Sequence, residues 1–207
     1  MKLYYSPGAC SLSPHIVSRE AGIPVELKKV NLRDKVVEDG GDFRKVNGKG
    51  YVPALELDNW QVLTEGPAII QYLADQKPDS GLAPKAGSFE RYRLQEWLNF
   101  ITAEIHKGFS PLFKPNTPDE YKKIARENLA GRFDWVDQQL AGKDYLMGKS
   151  FTVADAYLFT VLTWTKPLHI DLGKWPNVAA FIARVSARPK VKEAMKAEGL
   201  IKEEKAL

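Results

Sequence analysis

The chain has one cysteine, Cys10. A single thiol excludes an internal disulfide framework, a thiolate metal cluster and an intramolecular dithiol relay, and it fits a reducing, cytoplasmic setting. Histidine is scarce too. His15, His106 and His169 lie too far apart for a metal motif, and no H-E-x-x-H occurs, so no metal is expected. No run approaches the roughly 20 apolar residues of a membrane span. The first residues, MKLYYS, enter strand-like sequence at once and lack the apolar stretch and cleavage site of a secretory signal. Net charge is +4, but Lys and Arg are scattered among acids, with no block of about five like charges. No nucleic-acid-binding motif accompanies them, so neither nucleic acid nor membrane is expected as a partner, while a small anionic substrate would suit the mild positive charge. A G-x-S-x-G elbow, a P-loop, internal repeats and low-complexity tracts are also missing.

What is present is enough for one large or two small domains: 207 residues, 44% of them hydrophobic. The first third alternates element types. Lys2–Tyr5 (KLYY) is strand-like. Ser13-Pro14 offers a cap and a first helical proline, with the helix stopping at Gly22. Val25–Leu32 is a second strand, and a β-α-β unit with a right-handed crossover makes the two strands parallel. Residues 34–50 are irregular, with a helical turn near Asp42–Val46. Ala54–Leu57 and Gln61–Leu63 around Asp58-Asn59-Trp60 suit a hairpin, and Gly66–Gln76 an amphipathic helix. Pro78 to Gly87 forms a loop-like linker. From Ser88 the chain is helical throughout: Ser88–Phe109, Asp119–Leu140, Ala156–Trp164, Val178–Ala187 and Val191–Glu198. Thr152-Val153-Ala154-Asp155 has the pattern of a capping box. The expected organisation is therefore 1–77, a linker 78–87, and an all-helical part 88–207.

Three short segments carry candidate chemistry. Cys10 stands between a strand and a helix N-terminus, whose dipole favours the thiolate; a small buried hydrophobe is the alternative. Cys10-Ser11-Leu12-Ser13 is C-x-x-S, so disulfide chemistry would need an external thiol. In Gly50–Leu55 (GYVPAL), a cis Val52-Pro53 bond would turn the Val52 backbone groups outward to pair with an extended peptide. Taken alone, the segment is better read as an ordinary trans proline at a strand start. In Leu63–Ile69 (LTEGPAI), free N–H groups at a helix start could bind a carboxylate, and Glu65 an ammonium; a helix-dipole role explains Glu65 by itself.

The three together, in this order and spacing, resemble the glutathione transferase superfamily. The resemblance covers the whole chain, including "FTVADAYLF" (Phe151–Phe159). It narrows to the bacterial beta class through "GACSL" (Gly8–Leu12) and "WLNFITAEIHKGF" (Trp97–Phe109). It implies an α/β thioredoxin-like N-terminal domain joined to an all-α C-terminal domain, in a cytoplasmic homodimer acting in detoxification or catabolism. It implies glutathione as co-substrate, conjugated to an electrophilic, mostly apolar small molecule. By resemblance, Cys10 contacts the glutathione sulfur and His106 orients or polarises the thiol, these two being the catalytic pair. Lys35 meets the glycine carboxylate, the Val52 backbone pairs with the glutathione cysteine, and Glu65 with the Gly66 N–H holds the γ-glutamyl head. Asn99, Ala103, Glu104, Ile105 and His106 wall the glutathione site, in part from the partner subunit. Phe109, Phe113 and Trp164 form the co-substrate wall.

Helical spacing agrees with part of this. At about 100° per residue, Leu94, Trp97, Leu98, Ile101 and Ile105 share one face, and Asn99, Ala103 and His106 the opposite one. Two positions depart from the superfamily pattern. Gly48 replaces a common proline in Asn47-Gly48-Lys49-Gly50, which implies a looser loop. Gly66 replaces a common serine and forgoes one hydrogen bond worth about 1 kcal/mol. Two other functions use the same residues: thiol-disulfide exchange or reductive dehalogenation through Cys10, and non-catalytic ligand binding by a dimer.

Overall fold

The structure, a computed structural model, describes residues 1–202. The last five residues assigned to the helical part by sequence lie outside the described residues. The chain divides into two compact units, one formed by Met1–Ala83 with the segment from Ser186 on, the other by Pro84–Val185.

The first unit is built on a five-stranded sheet, ordered β3-β2-β1-β4-β5. Its strands are β1 (Lys2–Tyr5), β2 (Glu26–Asn31), β3 (Val36–Val37), β4 (Ala54–Glu56) and β5 (Val62–Thr64). β1 is parallel to β2, with Leu3 opposite Leu27, and antiparallel to β4, with Leu3 opposite Leu55. β4 and β5 form the expected hairpin. β1 is buried on both faces. Tyr4 packs in a cluster with Val30, Val37, Phe43, Val52 and Ala54, while Tyr5, pointing the other way, meets the ring of His15 at 6.3 Å. The two-residue β3 was not foreseen in the irregular region; one helical turn of 3₁₀ type forms at Phe43–Lys45.

Helix α1 spans Leu12–Glu20. The expected Ser13-Pro14 cap is corrected. The helix begins earlier, so Pro14 takes its third position, where the missing N–H has no intrahelical partner in any case. The Ser11 hydroxyl, which precedes the helix, accepts from the Ser6 N–H at 3.1 Å and donates to the Ser6 carbonyl at 3.2 Å. That exchange closes the turn between β1 and α1. Helix α2 spans Gly66–Asp75 and buries Ile69, Ile70 and Leu73.

The helical part read from sequence as 88–207 ends sooner. The last helix, Pro189–Ala197, packs on α1 and belongs to the first unit. Arg188 grips the Glu20 carboxylate through two hydrogen bonds, at 2.7 and 2.8 Å.

In the second unit α3 (Phe89–Phe100) starts at a Ser88 side chain that accepts from the Arg91 N–H. It continues through a π turn at Ile101–His106 into α4 (Lys107–Phe113). The sequence suggested one regular helix here. α5 covers Asp119–Leu140, as expected. α6 (Val153–Leu162) is buried along its whole length and opens on the Thr152/Asp155 capping box. α7 covers Pro176–Ser186, and the helix packed on α1 is therefore α8. Among the described residues, no helix is long and apolar enough to cross a membrane.

Candidate active site: a thiol turn and a histidine on a π turn

In the first unit the turn after β1 presents Cys10, partly buried. Its Sγ–H donates to the Val52 carbonyl at 3.2 Å, and the Ser13 hydroxyl donates to the Cys10 carbonyl at 2.9 Å. The Val52-Pro53 peptide is cis. Val52 lies just ahead of β4, outside any strand ladder, and among the described residues its N–H has no hydrogen-bond partner. An extended peptide beside the thiol therefore meets one backbone donor ready to pair.

Gly66 adjoins Pro53: a Cβ placed on it would lie 3.9 Å from the proline ring. It opens α2. Pro67 has no N–H, and the Ala68 and Ile69 N–H groups donate to the Glu65 carbonyl. Of the three N–H groups on the first four residues of α2, only that of Gly66 is left without a partner among the described residues.

Glu65, just before it, has φ 70° and ψ 116°. A non-glycine residue in that region carries roughly 1–3 kcal/mol of strain, a cost met with chiefly at functional sites. Its carboxylate is 68% exposed and paired with Lys49, whose ammonium also donates to the Thr64 hydroxyl. Lys35, with φ 59°, is likewise in the left-handed region. Its ammonium stands 5.8 Å from the centre of the Tyr51 ring. The loop between is tied by Asn47, which donates to the Tyr51 carbonyl at 2.7 Å and accepts from the Lys49 N–H. Cys10, Val52, Gly66, Glu65 and Lys35 are thus joined by a chain of neighbouring contacts inside one unit. Lys49 was missed from sequence; being one of many surface lysines, it carries no local signal.

In the second unit His106 ends the π turn. A π turn adds a residue to the helical repeat and so re-aims the side chains that follow, a feature often found at functional sites. The Nδ1 of His106 lies 2.6 Å from the Tyr157 hydroxyl, on buried α6. Thr102 donates to that same hydroxyl at 3.4 Å. Tyr157 was missed because an apolar helix gives no hint that one hydroxyl on it has a polar task. The His106 ring also meets Trp164 edge-on, with centroids 4.9 Å apart, and Trp164 meets Phe113 at 5.5 Å. Phe113 is half exposed.

Asn99 and Ala103 are exposed. The Asn99 amide donates to the Gln95 carbonyl, and Glu104 is held by Arg132 at 2.6 Å. Two residues read as site walls are corrected: Ile105 and Phe109 are fully buried. Phe109 is stacked behind Trp164 and Phe113 against Phe133, so it supports those rings and presents no surface of its own. Among the described residues, no group of three or more His, Cys, Asp or Glu side chains is arranged to hold a metal ion.

A thioredoxin-like unit that carries a thiol at its first helix, followed by an all-helical unit, defines the fold class. Family models bear this out: the glutathione S-transferase N-terminal domain matches residues 8–76 and the C-terminal domain residues 100–189. The glutathione S-transferase GstA of Escherichia coli O157:H7 is 49% identical over 97% of this chain and all of its own length. Two solved structures each superpose with a TM-score of 0.94, covering 97% of this chain and 100% of theirs. One is a sphingomonad glutathione S-transferase complexed with glutathione, at 49% identity. The other is a beta class glutathione S-transferase of Sphingomonas chungbukensis, at 48%. The chain belongs to the glutathione S-transferase family, in its bacterial beta class, and is an enzyme of that family.

Proposed function

We propose that the chain binds glutathione in its first unit and transfers the glutathione thiolate to an electrophilic carbon of a small, mostly apolar molecule. The observation that carries this reading is a Val52 N–H with no partner among the described residues, with the Cys10 thiol beside it. A tripeptide thiol laid along Val52 gains a strand-like hydrogen bond and brings its sulfur to Cys10. The Gly66 N–H can donate to the carboxylate, and the Glu65 carboxylate accept from the ammonium, of an α-amino-acid head group. Lys35 supplies a cation for the carboxylate at the other end. The Lys49–Glu65 pair is solvent-exposed and so worth at most about 1 kcal/mol, which lets a substrate ammonium compete for Glu65.

On the resemblance, His106 is the second catalytic residue, with Asn99, Ala103 and Glu104 beside it and Phe113 and Trp164 toward the second substrate. Acceleration comes from lowering the glutathione thiol's pKa by the helix dipole and hydrogen bonds, together with holding and orienting the two reactants. The enzyme acts as a cytoplasmic homodimer, in detoxification or catabolism of electrophiles. A steady-state assay with glutathione and an activated aryl halide tests the reading. Turnover well above the uncatalysed reaction is expected, and folded protein without any turnover overturns it.

A second activity is favoured by the partial exposure of Cys10 at a helix start. The Cys10 thiolate attacks a glutathionylated disulfide, forms a mixed disulfide and expels the other thiolate; a second glutathione thiolate then releases Cys10. In Cys10→Ala, disulfide exchange should vanish; conjugation should largely survive if Cys10 only assists glutathione binding, which separates its part in the two reactions.

A further inference from the structure

The turn that carries Cys10 is also held from behind, by a residue near the other end of the chain. Glu198 follows α8 and its carboxylate is fully buried. One oxygen accepts from the Gly8 N–H at 2.9 Å. The other lies 2.9 Å from Nδ1 of His15, a ring buried in α1. The Arg19 Nε–H donates to the opposite ring nitrogen, Nε2, at 3.4 Å. Since Nε2 accepts, Nδ1 carries the proton and donates to Glu198. Gly8 itself has φ +71°, and a Cβ on it would meet the Leu200 side chain at 3.3 Å. A buried carboxylate persists only where its oxygens are bonded to donors of fixed position. Here those donors are α1 and the Gly8 turn, so Glu198 ties the two together. Cys10 stands between these two fixed points, with the Ser6–Ser11 exchange closing the turn.

We infer that Glu198 is a positioning residue for Cys10: through Gly8 it fixes the turn that keeps the thiol against the Val52 carbonyl. The inference rests on the assignment of Cys10 to the glutathione site. Loss of the tie lets the turn move, and the thiol leaves its acceptor. A thiol that no longer donates, and is better solvated, ionises at lower pH.

The test is the rate of Cys10 alkylation by iodoacetamide as a function of pH, without glutathione, in the folded full chain. Glu198→Ala is expected to lower the midpoint by about half a unit or more and to raise the glutathione KM about fivefold. Glu198→Gln keeps an oxygen for the Gly8 N–H, and its amide N–H can donate to Nδ1 once the His15 ring moves its proton to Nε2 and gives up the 3.4 Å contact with Arg19; with the Gly8 tie intact it should titrate like the parent. Gly8→Ala disturbs the turn and leaves the His15–Glu198 pair in place; it should reproduce the lowered midpoint, and it serves if Glu198→Ala fails to fold. Midpoints unchanged or raised in the folded variants overturn the inference. Glutathione protection of the parent against alkylation separately reads the proposed function: its absence would sink that reading and leave the Glu198 comparison intact.

Discussion

At the scale of single residues, the backbone at Glu65 is the most informative departure from ordinary geometry in the candidate site. Its positive φ is unfavourable for a side chain with a Cβ, yet the residue is glutamate, where glycine would remove the strain. The carboxylate must therefore repay what the conformation costs. Glu65→Gln keeps the shape and removes the charge. A charged hydrogen bond to the substrate ammonium is worth roughly 1.5–3 kcal/mol, so the glutathione KM should rise at least about tenfold. Thermal stability should change little, since the Lys49 pair it breaks is exposed. An unchanged KM would show that the ammonium is held elsewhere. Cys10, Val52, Glu65 and Gly66 were legible as candidates because each sits in a short motif at an element boundary, and the three motifs in this order and spacing, not any one alone, carry the resemblance. Lys49, Tyr157 and Glu198 were not legible. Their partners lie 16 residues away for Lys49, 51 for Tyr157, and 183 and 190 for Glu198, and no local pattern records such a pairing.

At the scale of elements, α6 shows how much one cap can carry. The Asp155 carboxylate accepts from the Leu146 N–H, the Thr152 N–H and the Thr152 hydroxyl. Burial still dominates and pushes its pKa from 3.8 up to about 6, against the pull of those donors. The sign of the linkage follows. Between about pH 4 and 6 the native state keeps a proton that the unfolded chain has released. Stability from this group is therefore fully present below about pH 4 and lost as pH rises to about 6, a change on the order of 3 kcal/mol. Urea unfolding of the parent and Asp155→Asn across this range isolates the effect, because other carboxylates cancel in the difference. The parent should lose stability relative to the variant as pH rises, and a constant difference would refute the assignment. The capping box itself was readable from Thr152 and Asp155 because it is a four-residue pattern. The π turn at Ile101–His106 was not. Its residues fit a regular helix, and the extra residue in the turn is decided by packing around it.

At the scale of the whole chain, sequence delivered the β-α-β start, the hairpin and the bounds of α5, all of which depend on neighbouring residues. It misplaced the end of the chain. α8 has the same amphipathic pattern as the helices before it, and nothing in that pattern says which surface its apolar face will find. The structure gives it to α1, secured by Arg188 on Glu20 across 168 residues of sequence. The Glu20 carboxylate is only 10% exposed, so removing its partner leaves a charge poorly hydrated. Arg188→Ala should cost about 1–2 kcal/mol, above the range of an exposed pair. Where that loss appears tells what α8 is. If α1 and α8 form one cooperative piece of structure, amide exchange should quicken in both helices together, including the Cys10 turn at the start of α1. If α8 were an appendage, only its own amides would speed up. Hydrogen exchange resolved by peptide distinguishes the two outcomes, and the contacts of His15, Gly8 and Glu20 with the last segment point to the first: the unit that holds the thiol is completed only when the end of the chain returns to it.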